Sequence, residues 1–238
     1  MRIIIITFIF SITSLIAQSR DYTPDQDWSN LNRYKLDNAQ LGSPLEHEKR
    51  VVFMGNSITE GWSLLFPEFF VGKPYVNRGI SGQTTPQMLV RFRADVIALE
   101  PKVVLILAGI NDIAGNTGPA DVTMITNNIM SMAELAQSND IHVIICSILP
   151  AKNFPWNPGM NPPPKILAVN TIIEKFANDN GIIYLDYYSS MVDEDNALKK
   201  EYGYDGVHPN KEGYQVMSLL ADDAIRICLL YTSPSPRD

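Results

Sequence analysis

Three histidines and two cysteines are all that this chain of 238 residues carries, and that scarcity removes whole classes of function. A disulfide framework needs several paired cysteines, and a zinc site needs grouped cysteine or histidine ligands. His47, His142 and His208 stand far apart in the sequence, and Cys146 lies inside the apolar run 143–148, where it reads as a small core residue. No metal and no cofactor is therefore expected. Long basic runs are missing too. With 19 Lys and Arg against 26 Asp and Glu, the formal charge is −7, which speaks against a nucleic-acid partner. Apolar stretches of the roughly 20 residues that a membrane span requires are also absent, so stable membrane insertion is not expected.

The longest apolar run, 3–16, stands at the start. Met1-Arg2, that run and then Ala17-Gln18 have the short basic start and apolar centre of a secretory signal peptide, with residues 1–17 removed. No cysteine lies near the cut, so a lipid anchor is not expected, and the location predicted is secreted or periplasmic. Residues 18–48 are polar without a strong period and read as a lead-in draped over the domain. At the other end, residues 228–238 (Cys-Leu-Leu-Tyr-Thr-Ser-Pro-Ser-Pro-Arg-Asp) break off a helical pattern abruptly. They look like the in-frame translation of a transposase sequencing-library adapter and are set aside from fold reasoning.

Between these ends, 49–227 reads as one domain. Short apolar runs at 50–54, 75–77, 103–108, 142–147 and 182–185 alternate with longer stretches of helical period. The alternation predicts an α/β fold, a three-layer α/β/α sandwich around a five-stranded parallel sheet. Helices are expected over 84–98, 122–137, 165–178 and 212–227, each with apolar residues at three- and four-residue spacing turned to the core. One connection is unusual: 149–164 holds six prolines and Trp156. A loop of that kind either shapes a ligand pocket or is merely structural.

In an open parallel sheet, ligands bind beyond the carboxyl ends of the strands, and the polar residues there are informative. The first strand runs into Gly55-Asn56-Ser57, a tight turn that feeds a helix and points Ser57 out of the sheet edge. Alone, Ser57 reads equally as a helix cap. The second strand ends in Asn77-Arg78-Gly79-Ile80-Ser81-Gly82, where Gly79 leaves a backbone N–H unshielded or simply makes a turn. The third ends in Gly109-Ile110-Asn111-Asp112, an amide donor or an Asx turn. Before the last helix comes Asp205-Gly206-Val207-His208, the one histidine in a polar loop with a carboxylate three residues ahead. Acyl transfer to a serine needs a base, a carboxylate to orient the base, and donors for the oxyanion, and each has a candidate here.

These four segments resemble the Ser, Gly, Asn and His blocks of the SGNH (GDSL-like) hydrolases, in order, from about residue 50 to 227. Gly55-Asn-Ser57, Asn77-Arg-Gly79-Ile-Ser-Gly82, Gly109-Ile-Asn111-Asp112 and Asp205-Gly-Val-His208 are most similar to the branch around platelet-activating-factor acetylhydrolase-like and carbohydrate acetylesterase-like members. The first block usually reads Gly-Asp-Ser; Asn56 here removes a charge beside Ser57. The resemblance implies the flavodoxin-like sheet of that family and a serine esterase acting on small-molecule or carbohydrate esters. It gives Ser57 the role of nucleophile, His208 that of proton acceptor and Asp205 that of orienting carboxylate. Oxyanion donors would be the N–H groups of Ser57 and Gly79 and the side-chain amide of Asn111. Arg78 and Trp156 are candidates to line the substrate. Short acyl groups are favoured over a lipase, lysophospholipase or thioesterase activity. A catalytically silent carbohydrate-binding module would be expected to have lost Ser57, Asn111 or His208, and none is lost.

Overall fold

In the computed structural model, which describes residues 27–231, five parallel strands lie in the order β2-β1-β3-β4-β5. They are β1 (Val51–Gly55), β2 (Tyr75–Gly79), β3 (Val103–Leu107), β4 (His142–Cys146) and β5 (Ile183–Leu185). β1 and β3 are buried along their whole length, because helices cover both faces of a parallel sheet and leave its central strands no solvent side. Eight α-helices are present among the described residues: α1 (Lys35–Leu41), α2 (Ser57–Leu65), α3 (Thr85–Asp95), α4 (Ile110–Ile113), α5 (Val122–Gln137), α6 (Pro163–Asp179), α7 (Tyr187–Met191) and α8 (Lys211–Tyr231). α2 and α8 pack on one face of the sheet, and α3, α5 and α6 on the other. This is the expected three-layer sandwich.

The chain leaves β1 for β2 on one side, then returns to place β3 on the other side of β1. The reversal opens a crevice at the carboxyl ends of β1 and β3, the place where such sheets bind ligands. Four elements depart from the sequence reading: the short helices α4 and α7, which it does not predict, and α1 and α8. α1 lies inside the lead-in; it has no buried residue, so it carries no apolar period to reveal it. α8 runs four residues past Ile227 to Tyr231, and Cys228 on it is 5 % exposed within the core. Residues 1–17, read above as a signal peptide, the start of the lead-in and residues 232–238 of the tail lie outside the described residues. Among the described residues, no helix is long and apolar enough to cross a membrane.

Two contacts decide how the layer holding α2 and α8 is built. Trp62 of α2 is 1 % exposed; it stacks on Phe69 at 4.9 Å and on Tyr214 of α8 at 5.6 Å, and its indole N–H donates to Ser218 Oγ at 3.1 Å. Tyr214 Oη donates to the Ile58 carbonyl at 2.8 Å. Truncating a tryptophan so placed typically costs about 3–5 kcal/mol. On its other side, α2 lies hard against β2 at Gly79, where an added Cβ would stand 2.1 Å from the Glu60 amide nitrogen and 2.8 Å from the Asn56 carbonyl oxygen. Both obstacles are backbone and cannot rotate away. Gly79→Ala is therefore expected to destabilise the fold by about 1–3 kcal/mol through overpacking, seen as a lower midpoint of thermal unfolding; an unchanged midpoint would contradict this close approach.

Candidate active site

α2 begins abruptly because Asn56 caps it. The Asn56 side chain, 1 % exposed, accepts from the Ile58 N–H at 3.0 Å, satisfying one of the orphan donors of the first turn. An aspartate would cap in the same way, so Asn at this position keeps the turn and differs only in carrying no charge. Ser57, the first helical residue, is left half-buried with its hydroxyl toward the crevice, and its own N–H has no partner among the described residues.

Ser57 Oγ stands 3.0 Å from His208 Nε2, although the two are 151 residues apart in sequence. On the other side of the ring, His208 Nδ1 stands 2.7 Å from Asp205 Oδ2. The loop that achieves this is built by the same carboxylate. Asp205 Oδ1 accepts from the Val207 N–H at 2.9 Å and from the His208 N–H at 2.7 Å, and Gly206 between them takes φ +84°. Asn210 then caps α8, accepting from the Gly213 N–H at 2.9 Å. Burial pushes the Asp205 carboxyl upward, but the N–H of His208, its imidazole and the Val207 N–H outweigh that and hold it below the ordinary carboxylate range. An ionised carboxylate only accepts. Nδ1 must therefore carry the hydrogen, and Nε2 is the lone pair that faces the serine hydroxyl.

Asn111, at the second position of α4 and 4 % exposed, gives one amide hydrogen to the Gln83 carbonyl at 3.0 Å, which leaves the other free. Gly79 has a different job from the expected one. Its N–H donates to the Asn77 side chain at 2.9 Å, its carbonyl accepts the Tyr34 hydroxyl, and its missing side chain admits α2. Three residues on, the turn 80–83 closes by Gln83 N–H donating to the Ile80 carbonyl at 3.3 Å, with Gly82 at φ +77°. The Gly82 N–H has no partner among the described residues, and the Asn116 side chain fixes the Gly82 carbonyl at 3.1 Å. Sequence reasoning saw both glycines and could not tell which N–H is spent.

Arg78 is not brought to the crevice. It is 6 % exposed; Nε donates to Asn38 at 2.8 Å, a terminal nitrogen to the Asn77 carbonyl at 2.8 Å, and the guanidinium lies 4.6 Å from the centre of the Tyr34 ring. Trp156 is brought to the crevice: its ring centre lies 5.8 Å from that of His208. Tyr204, which the sequence reading passed over, stacks on His208 at 5.7 Å and 12°. Its place one residue before Asp205 was the only signal. A groove of about 350 Å³ runs beside Ser57, with Glu60, Ser81, Leu64 and Tyr204 among its walls.

The family described as GDSL-like Lipase/Acylhydrolase matches residues 53–216. A Bacteroides fragilis protein described as an acylhydrolase is 51% identical over 86% of this chain and 100% of its own, with a TM-score of 0.85. A GDSL-like lipase of Bacteroides thetaiotaomicron is 49% identical over 84% of this chain and 99% of its own, at 0.83. A protein from Streptococcus pneumonia described as a platelet activating factor is 25% identical over 83% and 94%, at 0.68. Among curated proteins, none matches significantly.

The depressed Asp205 carboxyl makes a stability prediction with a definite sign. Its bonds contribute stability above its unfolded-state value of about 3.9, and that contribution is lost as pH falls through the lower folded-state value. Asp205→Asn should therefore cost unfolding free energy near pH 7 and progressively less as the pH is lowered toward about 3. A cost in urea unfolding that grew toward acid would contradict the assigned ionisation.

Proposed function

Because the chain belongs to the GDSL-like lipase/acylhydrolase family and is a carboxylic ester hydrolase, we propose that it is exported and removes short, acetyl-type acyl groups through an acyl-enzyme on Ser57. The observation that carries the proposal is the continuous set of contacts from Asp205 through His208 to the Ser57 hydroxyl, at 2.7 and 3.0 Å.

The mechanism follows from those contacts. Ser57 Oγ attacks the ester carbonyl while its proton passes to His208 Nε2, and Asp205 stabilises the imidazolium that forms. The carbonyl oxygen becomes an oxyanion, held by the N–H of Ser57, the free amide hydrogen of Asn111 and the N–H of Gly82, which takes the part first read for Gly79. The tetrahedral adduct collapses, and the alcohol leaves with the proton from Nε2. Water then attacks the acyl-enzyme, gives a proton to the same nitrogen, and Ser57 recovers its proton as the acid leaves.

The leaving alcohol takes its proton from Nε2, so it lies against the rings that flank His208. Trp156 is 46 % exposed and Tyr204 is 65 % exposed, an unusual amount of aromatic surface to leave in water beside a reacting group. Flat apolar faces with a polar surround, including Glu60 and Ser81, suit a sugar ring, whose C–H face packs on an aromatic while its hydroxyls stay hydrogen-bonded. The Glu60 carboxylate in the groove wall disfavours a long acyl chain lying there. Export is supported by the basic start and apolar run of residues 1–16.

Ser57→Ala should abolish hydrolysis of p-nitrophenyl acetate, and Asn111→Ala should lower kcat by about a hundredfold to a thousandfold. Parental rates in Ser57→Ala would sink the mechanism. Across p-nitrophenyl esters of rising acyl length, kcat/KM should be highest for acetate; a maximum at long chains would replace the short-acyl reading with a lipase. Trp156→Ala should lower kcat/KM on acetylated oligosaccharides by about tenfold, the size of a lost aromatic contact, and an unchanged value would remove the sugar platform.

A further inference from the structure

Residues outside the reacting set hold its parts in register. Gln83 ends the turn after β2 and is 2 % exposed, an uncommon burial for a glutamine. All of its polar groups are engaged. Oε1 accepts from Arg91 Nε at 2.5 Å, Nε2 donates to the Ser29 carbonyl at 2.7 Å, the N–H donates to Ile80, and the carbonyl accepts from Asn111 Nδ2 at 3.0 Å. Arg91 on α3 is wholly buried; one terminal nitrogen donates to Asp95 at 3.0 Å and the other to the Gly55 carbonyl at 3.0 Å.

Gly55 is the last residue of β1, two before Ser57. One buried guanidinium thus spans the end of the nucleophile's strand and the turn that carries Gly82, and that turn in its own right grips Asn111. The lead-in closes the arrangement from outside. Ser29 is 4 % exposed, the Gln87 side chain donates to the Trp28 carbonyl at 2.7 Å, and the Tyr34 hydroxyl donates to the Gly79 carbonyl.

We infer that Gln83 and Arg91 are positioning residues for ester hydrolysis: they set the spacing of Ser57, Gly82 and Asn111, with residues 28–34 of the lead-in as an outer brace. The inference rests on the oxyanion roles proposed above. Its physical basis is that a buried polar network with every member paired is stiff, whereas one that loses a member must rearrange to avoid an unpaired guanidinium. A displacement of about 1 Å at oxyanion donors is enough to cost on the order of a hundredfold in rate. A network that served stability alone would behave differently: its loss would lower the unfolding midpoint and leave kcat of the folded enzyme intact.

The test is a double-mutant cycle with p-nitrophenyl acetate. Gln83→Met keeps length and volume but can neither accept from Arg91 nor donate to Ser29. Its kcat should fall about tenfold to a hundredfold with KM within about threefold. In an Asn111→Ala background the additional fall should be smaller than in the parent, since one of the three donors that Gln83 positions is gone. If Gln83→Met does not fold, Tyr34→Phe, which frees the Gly79 carbonyl from the outer brace, takes its place and should lower kcat at unchanged KM. Losses that multiply in full, or an unchanged kcat beside a lowered unfolding midpoint, overturn the inference while leaving the esterase reading intact. An Asn111→Ala enzyme with parental kcat overturns the oxyanion role of Asn111 and the inference with it, again leaving the esterase reading intact.

Discussion

The docking of α8 on α2 is the constraint from which the rest of the molecule follows. The bond between Ser57 and His208 joins the first βα turn to the loop before the last helix, across 151 residues. A single hydrogen bond nets only about 0.5–1.5 kcal/mol, far too little to order two distant loops against the conformational entropy they lose. The ordering comes from Trp62, Tyr214 and Ser218, which fasten α8 to α2 within the core. Asn210, at the head of the fastened helix, carries His208 two residues before it. The imidazole therefore arrives already aimed.

Within that frame, the charges of the site are arranged by short-range means. Asp205 is both the orienting partner of the imidazole and the acceptor that shapes its own loop, so one carboxylate fixes the direction and the tautomer of His208 together. The negative charge of a developing oxyanion would meet the unspent N–H of Ser57 at the head of α2, where the helix dipole also favours it. Asn56 adds no charge there. An aspartate would cap equally well, so asparagine leaves the turn intact.

Much of this was legible in the sequence because strands and site residues are coupled in a parallel sheet: each strand end is a place where a ligand group can stand, and the strands announce themselves as apolar runs. Five runs, three polar strand-end segments and the polar loop before the last helix were enough for the fold class and for Ser57, Asn111, Asp205 and His208 to be singled out. The rest depended on side chains folding back. Whether Gly79 or Gly82 keeps a free N–H turns on Asn77, whose amide oxygen takes the first. Arg78 looked available only because α1 could not be seen; Asn38 and Tyr34 from the lead-in cover it. α1 itself buries nothing, and a helix without an apolar stripe leaves no period to read. Gln83 and Arg91 form no motif, since their partners lie on five separate segments.

The central proposal is that His208, held by Asp205, activates the Ser57 hydroxyl. The most direct measurement is peptide mapping by mass spectrometry after brief exposure of the folded enzyme to a fluorophosphonate, with the parent and His208→Ala compared. The account predicts a single phosphonyl group on Ser57 in the parent and almost none in His208→Ala; labelling at another residue, or equal labelling of Ser57 in both proteins, would contradict it.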